Sequence, residues 1–224
     1  MRDDYRHEIK HRIDRMDMFT IRSRLSAIAT SDPHTINGKY RIRSLYFDNF
    51  EDKALREKID GVDRREKFRI RYYNDDLDFI RLEKKSKLNG LGTKDNAALN
   101  REQAQAIVDG DVEWMLDDSQ PLVRELYIKM KTTGLHPKTI VDYDREPFIY
   151  DPGNVRVTID YNIRTGLSCT DFLNQDVPTV PVKDSPIILE VKWDGFLPDI
   201  IRDMVQINVR DGAFSKYAEC RMYD

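Results

Sequence analysis

The run Arg65-Glu66-Lys67-Phe68-Arg69-Ile70-Arg71-Tyr72-Tyr73-Asn74-Asp75-Asp76-Leu77-Asp78-Phe79-Ile80-Arg81-Leu82-Glu83-Lys84-Lys85-Ser86-Lys87 alternates charged and apolar side chains. Residues two apart on a β-strand share a face. Arg65, Lys67, Arg69 and Arg71 therefore line one side of a predicted strand over residues 65–73, and Phe68, Ile70 and Tyr72 line the other. A second strand over residues 78–87 sets Arg81, Glu83, Lys85 and Lys87 against Ile80 and Leu82. Asn74-Asp75-Asp76 between them reads as a hairpin loop. Paired, the two strands make a strongly basic wall that carries one carboxylate.

The Glu-x-Lys unit of the second strand recurs at both ends of the chain, as Glu8-Ile9-Lys10 and Glu190-Val191-Lys192, each inside a segment that reads as strand. The first extends to Arg6-x-Glu8-x-Lys10, matching Arg81-x-Glu83-x-Lys85. Alternating charge on a single strand is most often a solvated face with cross-strand ion pairs. Repetition on separate strands, flanked by further arginines, favours an ionic interior instead.

Strands are also predicted over residues 5–13, 40–47, 139–150, 154–165 and 187–193. Asp14 is placed to cap a helix running through Met16, Phe19, Leu25 and Ile28, and a short charged helix covers 51–58. Asn100 with Gln103 fits a capping box, and Ser119 precedes a helix over 121–132. Leu88 to Asn96, with Gly90 and Gly92 and no periodicity, is expected to be a mobile loop. Asp151-Pro152-Gly153-Asn154 is a turn, Leu197-Pro198 opens a helix to about Ile207, and Phe214 to Tyr217 makes a short helical turn. Without regular βαβ alternation this order predicts an α+β protein, an antiparallel sheet with helices packed outside. A closed β-barrel is its natural closure, because side chains then alternate between lumen and exterior. A single domain over residues 1–224 is expected.

Charged residues make up 34% of the chain, above the usual quarter, so some charge belongs inside. The net charge is only -3, which gives no overall basic footprint and argues against a nucleic-acid partner. No apolar run approaches the ~18 residues of a membrane span, and the N-terminus is charged from Arg2. A cytoplasmic protein without membrane insertion is expected. Cys169 and Cys220 form no CxxC, so neither a disulfide framework nor a zinc site is indicated.

The ionic faces collect Lys10, Arg41, Arg43, Lys67, Arg69, Arg71, Arg81, Lys85, Arg145, Arg156, Arg164 and Lys192 against Glu8, Glu83, Asp160 and Glu190. Unpaired interior charge costs several kcal/mol per ion, so a face this basic implies a counter-anion. Arginine forks hold phosphate oxygens bidentately and stay protonated, which suits Arg69, Arg71, Arg145 and Arg156 to a phosphate chain. Carboxylates serve beside phosphates only with a cation between them. Mg2+ or Mn2+ typically takes one or two carboxylates plus phosphate oxygens, and Glu190 and Glu83, then Glu8, are the expected ligands.

Glu8-x-Lys10, Ser44-Leu45-Tyr46-Phe47-Asp48-Asn49, Lys67-x-Arg69-x-Arg71-x-Tyr73, Glu83-x-Lys85, Arg156-x-Thr158-x-Asp160, Glu190-x-Lys192 and Ser215-Lys216-Tyr217 together resemble the VTC domain, the polyphosphate polymerase branch of the triphosphate tunnel metalloenzymes. The resemblance spans essentially the whole chain. It implies an eight-stranded antiparallel tunnel that binds ATP and polyphosphate or triphosphate, with Mn2+ or Mg2+ at a glutamate, and transfer of the terminal phosphoryl of ATP to a growing polyphosphate chain. By motif, Lys10, Lys67, Arg69, Arg71, Lys85, Arg156 and Lys192 would grip phosphates and Glu190 would hold the metal, with Arg41, Arg43, Arg81, Arg145, Arg164 and Lys216 as further substrate contacts. The related CYTH branch opens with Glu-x-Glu-x-Lys, whereas Arg6 stands at the first of those positions here, which favours the VTC branch over two-metal hydrolysis. A triphosphatase using the same tunnel and a polyphosphate-binding module without turnover remain the alternatives, and a membrane-protein partner receiving the polymer is left open.

Overall fold

A computed structural model describes residues 7–88, 91–206 and 214–222. In chain order the elements are β1 (His7–Ile13), α1 (Arg15–Ser26), β2 (Thr30–Ser31), β3 (Tyr40–Asp48), α2 (Lys53–Ile59), β4 (Arg65–Tyr73), β5 (Asp76–Leu88), β6 (Leu91–Leu99), α3 (Arg101–Asp109), α4 (Pro121–Thr133), β7 (His136–Tyr150), β8 (Val155–Thr165), β9 (Val180–Pro181), β10 (Ile187–Trp193), α5 (Asp199–Met204) and α6 (Lys216–Arg221). The α+β expectation holds. Hydrogen-bonded strands follow the order β1-β10-β8-β7-β3-β4-β5-β6, with β2 against β7 and β9 against β8. Among the described residues no pairing joins β6 back to β1, so the expected closed barrel is an open sheet. Both end strands are heavily charged, with Glu8, Lys10 and Arg12 on one and Lys94 and Asp95 on the other, as is usual for sheet edges left unpaired.

The chain divides into two compact units, each assembled from separate segments: residues 1–41, 143–163 and 181–214 in the first, and 42–142, 164–180 and 215–224 in the second. In the second unit β4, β5 and β6 pair antiparallel. Asn74 and Asp75 both take positive φ (51° and 61°), the conformation of the two-residue type I′ turn that matches strand twist. Phe68, Ile70, Tyr72, Ile80, Leu82, Ala97 and Leu99 form the buried face, covered by Ala104 and Ile107 of α3 and by Leu122, Val123 and Leu126 of α4. In the first unit Val155, Val157 and Ile159 of β8 and Ile187, Leu189 and Val191 of β10 pack on Met18, Ile21 and Leu25 of α1 and on Ile201 of α5. Each unit thus buries one face of its strands under helices and leaves the alternate face to charge.

Local signals account for most boundaries. The Asp14 carboxylate accepts from the Asp17 amide at the start of α1, and the Asn100–Gln103 capping box is present in full. Of the loop expected over residues 88–96, Asn89 and Gly90 lie outside the described residues, Leu88 ends β5, and residues 91–96 belong to the β6 edge strand, paired with β5 from Leu88↔Leu91 to Ile80↔Leu99. Its first half is polar on both faces, so no period was legible there, and the ladder to β5 imposes the strand. The helix expected to reach Ile207 ends at Met204, and Ile207, like Arg6, lies outside the described residues. Cys169 and Cys220 are free thiols.

The capping box at Asn100 closes a short helix that roofs the second core. Asn100→Ala should lower the unfolding free energy by about 1 kcal/mol, read as a shift in urea midpoint at constant slope, whereas Asn100→Ser should cost a few tenths.

Candidate functional site

In the second unit the charged face is built by register. Lys67 stands opposite Lys85, which stands opposite Lys94; Arg69 opposite Glu83 and then Asn96; Arg71 opposite Arg81. Glu83 is 2% exposed and is gripped by Arg69 (Nε 2.7 Å, Nη2 2.5 Å), by Lys94 (2.6 Å) and, at 3.7 Å, by Arg71. Burial alone would raise its pKa, but Arg69, Arg71 and Lys94 overcome that and hold the carboxyl well below the usual carboxylate range. Antiparallel pairing of β3 with β4 brings Tyr46 opposite Arg69 and Ser44 opposite Arg71. Arg69 Nη1 donates to the Tyr46 hydroxyl at 2.7 Å, Arg71 Nε to Ser44 Oγ at 3.1 Å and Arg71 Nη1 to the Tyr73 hydroxyl at 3.2 Å. Burial would raise the Tyr46 phenol, yet Arg69, Arg71 and Lys216 bring it below its ordinary value.

The C-terminal helix α6 is fastened to this face. Ser215 caps it, accepting from the Ala218 amide at 3.3 Å, and also accepts from Lys67 Nζ at 3.1 Å. Tyr217 stacks on Tyr46 with ring centroids 5.2 Å apart and donates to the buried Asp48 carboxylate at 2.5 Å. Asp48 also accepts from the backbone amides of Ala54 and Leu55 at the start of α2. Arg221 donates to Asp52 at 2.8 Å and to the Tyr217 hydroxyl at 3.1 Å, and Lys138 reaches Asp52 at 3.2 Å. Ser215-Lys216-Tyr217 is thereby held rigidly beside Lys67 and Tyr46.

In the first unit Glu190 stands between Lys10 and Thr158, and Lys192 between Glu8 and Arg156. Lys10 pairs closely with Glu8 and reaches Glu190 at 3.7 Å; Lys192 pairs closely with Glu190 and reaches Glu8 at 4.0 Å. Burial works against both ammonium groups. In Lys10 the carboxylates of Glu190 and Glu8 prevail and its pKa is raised, whereas in Lys192 burial prevails and its pKa is lowered. Arg145 forks onto the buried Asp160 (2.6 and 2.7 Å) and stands 3.9 Å from Glu190. Arg156 reaches Asp32 at 3.4 Å through Nη2.

A family model described as the VTC domain matches residues 5–223. The chain belongs to the VTC domain family. Within this VTC chain the motifs that carried the sequence resemblance are the strands and the α6 cap just described. No curated protein sequence matches it. A solved structure from Bacillus halodurans, described as a "putative adenylate cyclase", shares 12% identity over 88% of this chain and 83% of its own, with a TM-score of 0.53, and shows a common fold. The PH1819 protein from Pyrococcus horikoshii aligns over 98% of this chain and 99% of its own at 13% identity and a TM-score of 0.49.

The charged face of the second unit contains Lys67, Arg69, Arg71, Arg81, Lys85 and Lys216; that of the first contains Lys10, Arg145, Arg156 and Lys192. Other expected cations are engaged elsewhere. Arg43 alternates to the core side of β3, where it is buried, forks onto Asp142 (2.9 and 2.8 Å) and donates to the Asn174 carbonyl. Arg164 is held by Thr179 through both its hydroxyl and its carbonyl. Arg41 is exposed at the start of β3. Sequence reasoning missed Lys94, Tyr46 and Tyr73 as members of the site; the spacing Lys94-x-Asn96-x-Ala98 opposite Lys85, Glu83 and Arg81 is the only signal that could have found the first.

The two sets of carboxylates differ as hosts for a divalent cation. Among the described residues no three His, Cys, Asp or Glu side chains come together as a metal cluster. Glu8 and Glu190 share the same two lysine partners, with Arg145 3.9 Å from Glu190; an ion held there would displace ammonium groups on flexible stems and complete its shell with phosphate oxygens. Glu83 already faces two guanidiniums and an ammonium, which a further cation would have to displace.

Because the folded pKa of Glu83 is depressed, its stabilising contribution is fully present above the unfolded value near 4.5 and is lost as pH falls below it. Glu83→Gln should cost roughly 3–5 kcal/mol in urea unfolding at pH 7, a deficit that shrinks as the pH is taken below 4.5. A constant deficit across that range would show that the charge of Glu83 is not what the fold uses.

Proposed function

We propose that this VTC-family chain is a metal-dependent polyphosphate polymerase, which breaks the β–γ phosphoanhydride bond of ATP and forms a new P–O bond to the terminal oxygen of a polyphosphate chain, releasing ADP. One observation carries it: Lys67, Lys85 and Lys94 stand directly across three neighbouring strands, with Arg71 opposite Arg81 two rungs away. Like charges directly opposite each other destabilise a sheet, so this surface is built for a bound polyanion. Condensed phosphate supplies negative charge at a spacing that lysines and arginine forks can share.

Lys67, Arg69, Arg71 and Lys85 would take phosphate oxygens in the second unit, with Lys216 held beside them by the α6 cap. Lys10, Arg156 and Lys192 would do so in the first. Mn2+ or Mg2+ at Glu190, with Glu8, would offset charge developing on the transferring group. Tyr46 and Tyr73 fix the guanidinium planes of Arg69 and Arg71 before substrate arrives, and the chemistry needs little beyond such positioning and charge stabilisation. No covalent enzyme intermediate enters.

Incubation with ATP and Mn2+ should yield long-chain polyphosphate on a gel, and Glu190→Gln should remove most of it while leaving the fold intact by circular dichroism. Absence of polymer with the wild type, or equal polymer with Glu190→Gln, would defeat the assignment. Orthophosphate released from tripolyphosphate without chain growth would give the same residues to a triphosphatase.

A further inference from the structure

Two polar atoms on consecutive same-face positions of β8 have no hydrogen-bond partner among the described residues, although both are buried: Arg156 Nε and Thr158 Oγ1. Thr158 as a whole is only 3% exposed. Leaving a buried donor unmade is costly, and native interiors seldom do it without a ligand or a water in place. The surroundings narrow the choice. Nε of a guanidinium donates and never accepts, so whatever faces it carries an acceptor. The rungs flanking these atoms hold Lys192 opposite Arg156, and Glu190 opposite Thr158 with Lys10 beyond it. Glu190 is already engaged by Lys10 and Lys192, and Arg156 reaches Asp32 through Nη2, which leaves its Nε without a partner among the described residues.

The geometry points to an oxyanion subsite in which Thr158 Oγ1 and Arg156 Nε donate to non-bridging oxygens of a condensed phosphate, making the Thr158 hydroxyl a substrate-contacting group in its own right. Lys192 opposite Arg156, and Lys10 opposite Glu190 on the next same-face rung, surround both atoms with cations, the setting of a polyanion. A neutral hydroxyl beside Glu190 adds a hydrogen bond without adding to the crowded positive charge of Lys10, Lys192, Arg145 and Arg156. This inference rests on the proposal that the first unit takes phosphate, but it concerns binding and not turnover.

The test is tripolyphosphate affinity by calorimetry in EDTA, where no divalent ion contributes, on Thr158→Val, Thr158→Ser and Arg156→Lys. Thr158→Val, nearly isosteric, should weaken binding on the order of tenfold or more, and Thr158→Ser should restore most of it. Arg156→Lys keeps the charge but removes Nε and should also weaken binding; the double variant should lose less than the product of the two single losses, because both groups serve one ligand. Wild-type affinity in Thr158→Val, or a loss that appears only with Mn2+ present, would overturn the subsite, the first by leaving the hydroxyl to water and the second by assigning it to the metal. Should Thr158→Val fail to fold, Arg156→Lys and Thr158→Ser decide the matter: unchanged affinity in Arg156→Lys overturns it. Failure of the polymerase proposal shows separately, as absence of polymer from ATP with a wild type that still binds tripolyphosphate.

Discussion

The buried ion pairing of Glu83 is the constraint on which the second unit depends. Two guanidiniums about 4 Å apart repel by roughly 4 kcal/mol at an effective dielectric of 20, and β4 and β5 set like charges directly opposite each other, Lys67 against Lys85 and Arg71 against Arg81. A single carboxylate on the central rung, taking Arg69 at 2.5 Å, Lys94 at 2.6 Å and Arg71 at 3.7 Å, converts that repulsion into a fixed array. It does so without neutralising the face, since Arg81, Lys85 and Lys67 remain around it in register. The core beneath supplies the rigidity: Phe68, Ile70, Tyr72, Ile80, Leu82, Ala97 and Leu99 alternate with the charges and are apolar and buried, and Lys84 on the same side pairs with Glu125 of α4.

Positioning then propagates through aromatic rings. Arg69 is oriented by the Tyr46 hydroxyl, Tyr46 by stacking on Tyr217, and Tyr217 by its hydrogen bond to Asp48, whose carboxylate also caps the start of α2. A helix of six residues has little stability of its own. Docking through Tyr217 and Arg221 is what makes Ser215 and Lys216 dependable neighbours of Lys67. Asp48 is thus a structural residue with a functional consequence, and its burial among amide donors explains why an acidic group tolerates an interior position beside so many aromatics.

How much of this was legible depended on whether the local pattern or the ladder decides a residue's face. In β4 and β5 the alternation is clean, and both the hairpin and its basic face follow from it. Asp14 and Asn100 announce their helices by capping chemistry alone. Arg43 misleads because β3 is buried along most of its length, so charge at one position does not mark the ionic side; only the pairing of Tyr46 with Arg69 reveals that Ser44 and Tyr46, and not Arg43, face the cations. β6 hides for the opposite reason: Thr93, Lys94, Asp95 and Asn96 are polar on both faces, and its strand conformation comes from β5. Barrel closure was an inference from alternation, which fixes the two faces of a sheet but says nothing about whether its edges meet.

The two carboxylate sets also differ in a way that charge composition alone does not reveal. Glu83 is held chiefly by guanidiniums, which are permanently charged, planar and pre-organised as forks, so an entering cation gains nothing by competing with them. Glu190 and Glu8 are held by two lysines on flexible stems, one of them with a pKa depressed by burial. Under the proposed function, an ammonium of that kind would swing to a phosphate oxygen while the carboxylate it leaves accepts a divalent ion, and the sum of charges at the site would then be better balanced than before. Pairing with lysine at Glu190 and with arginine at Glu83 therefore separates an exchangeable carboxylate from a fixed one, a distinction that identical Glu-x-Lys motifs conceal and the cross-strand partners expose.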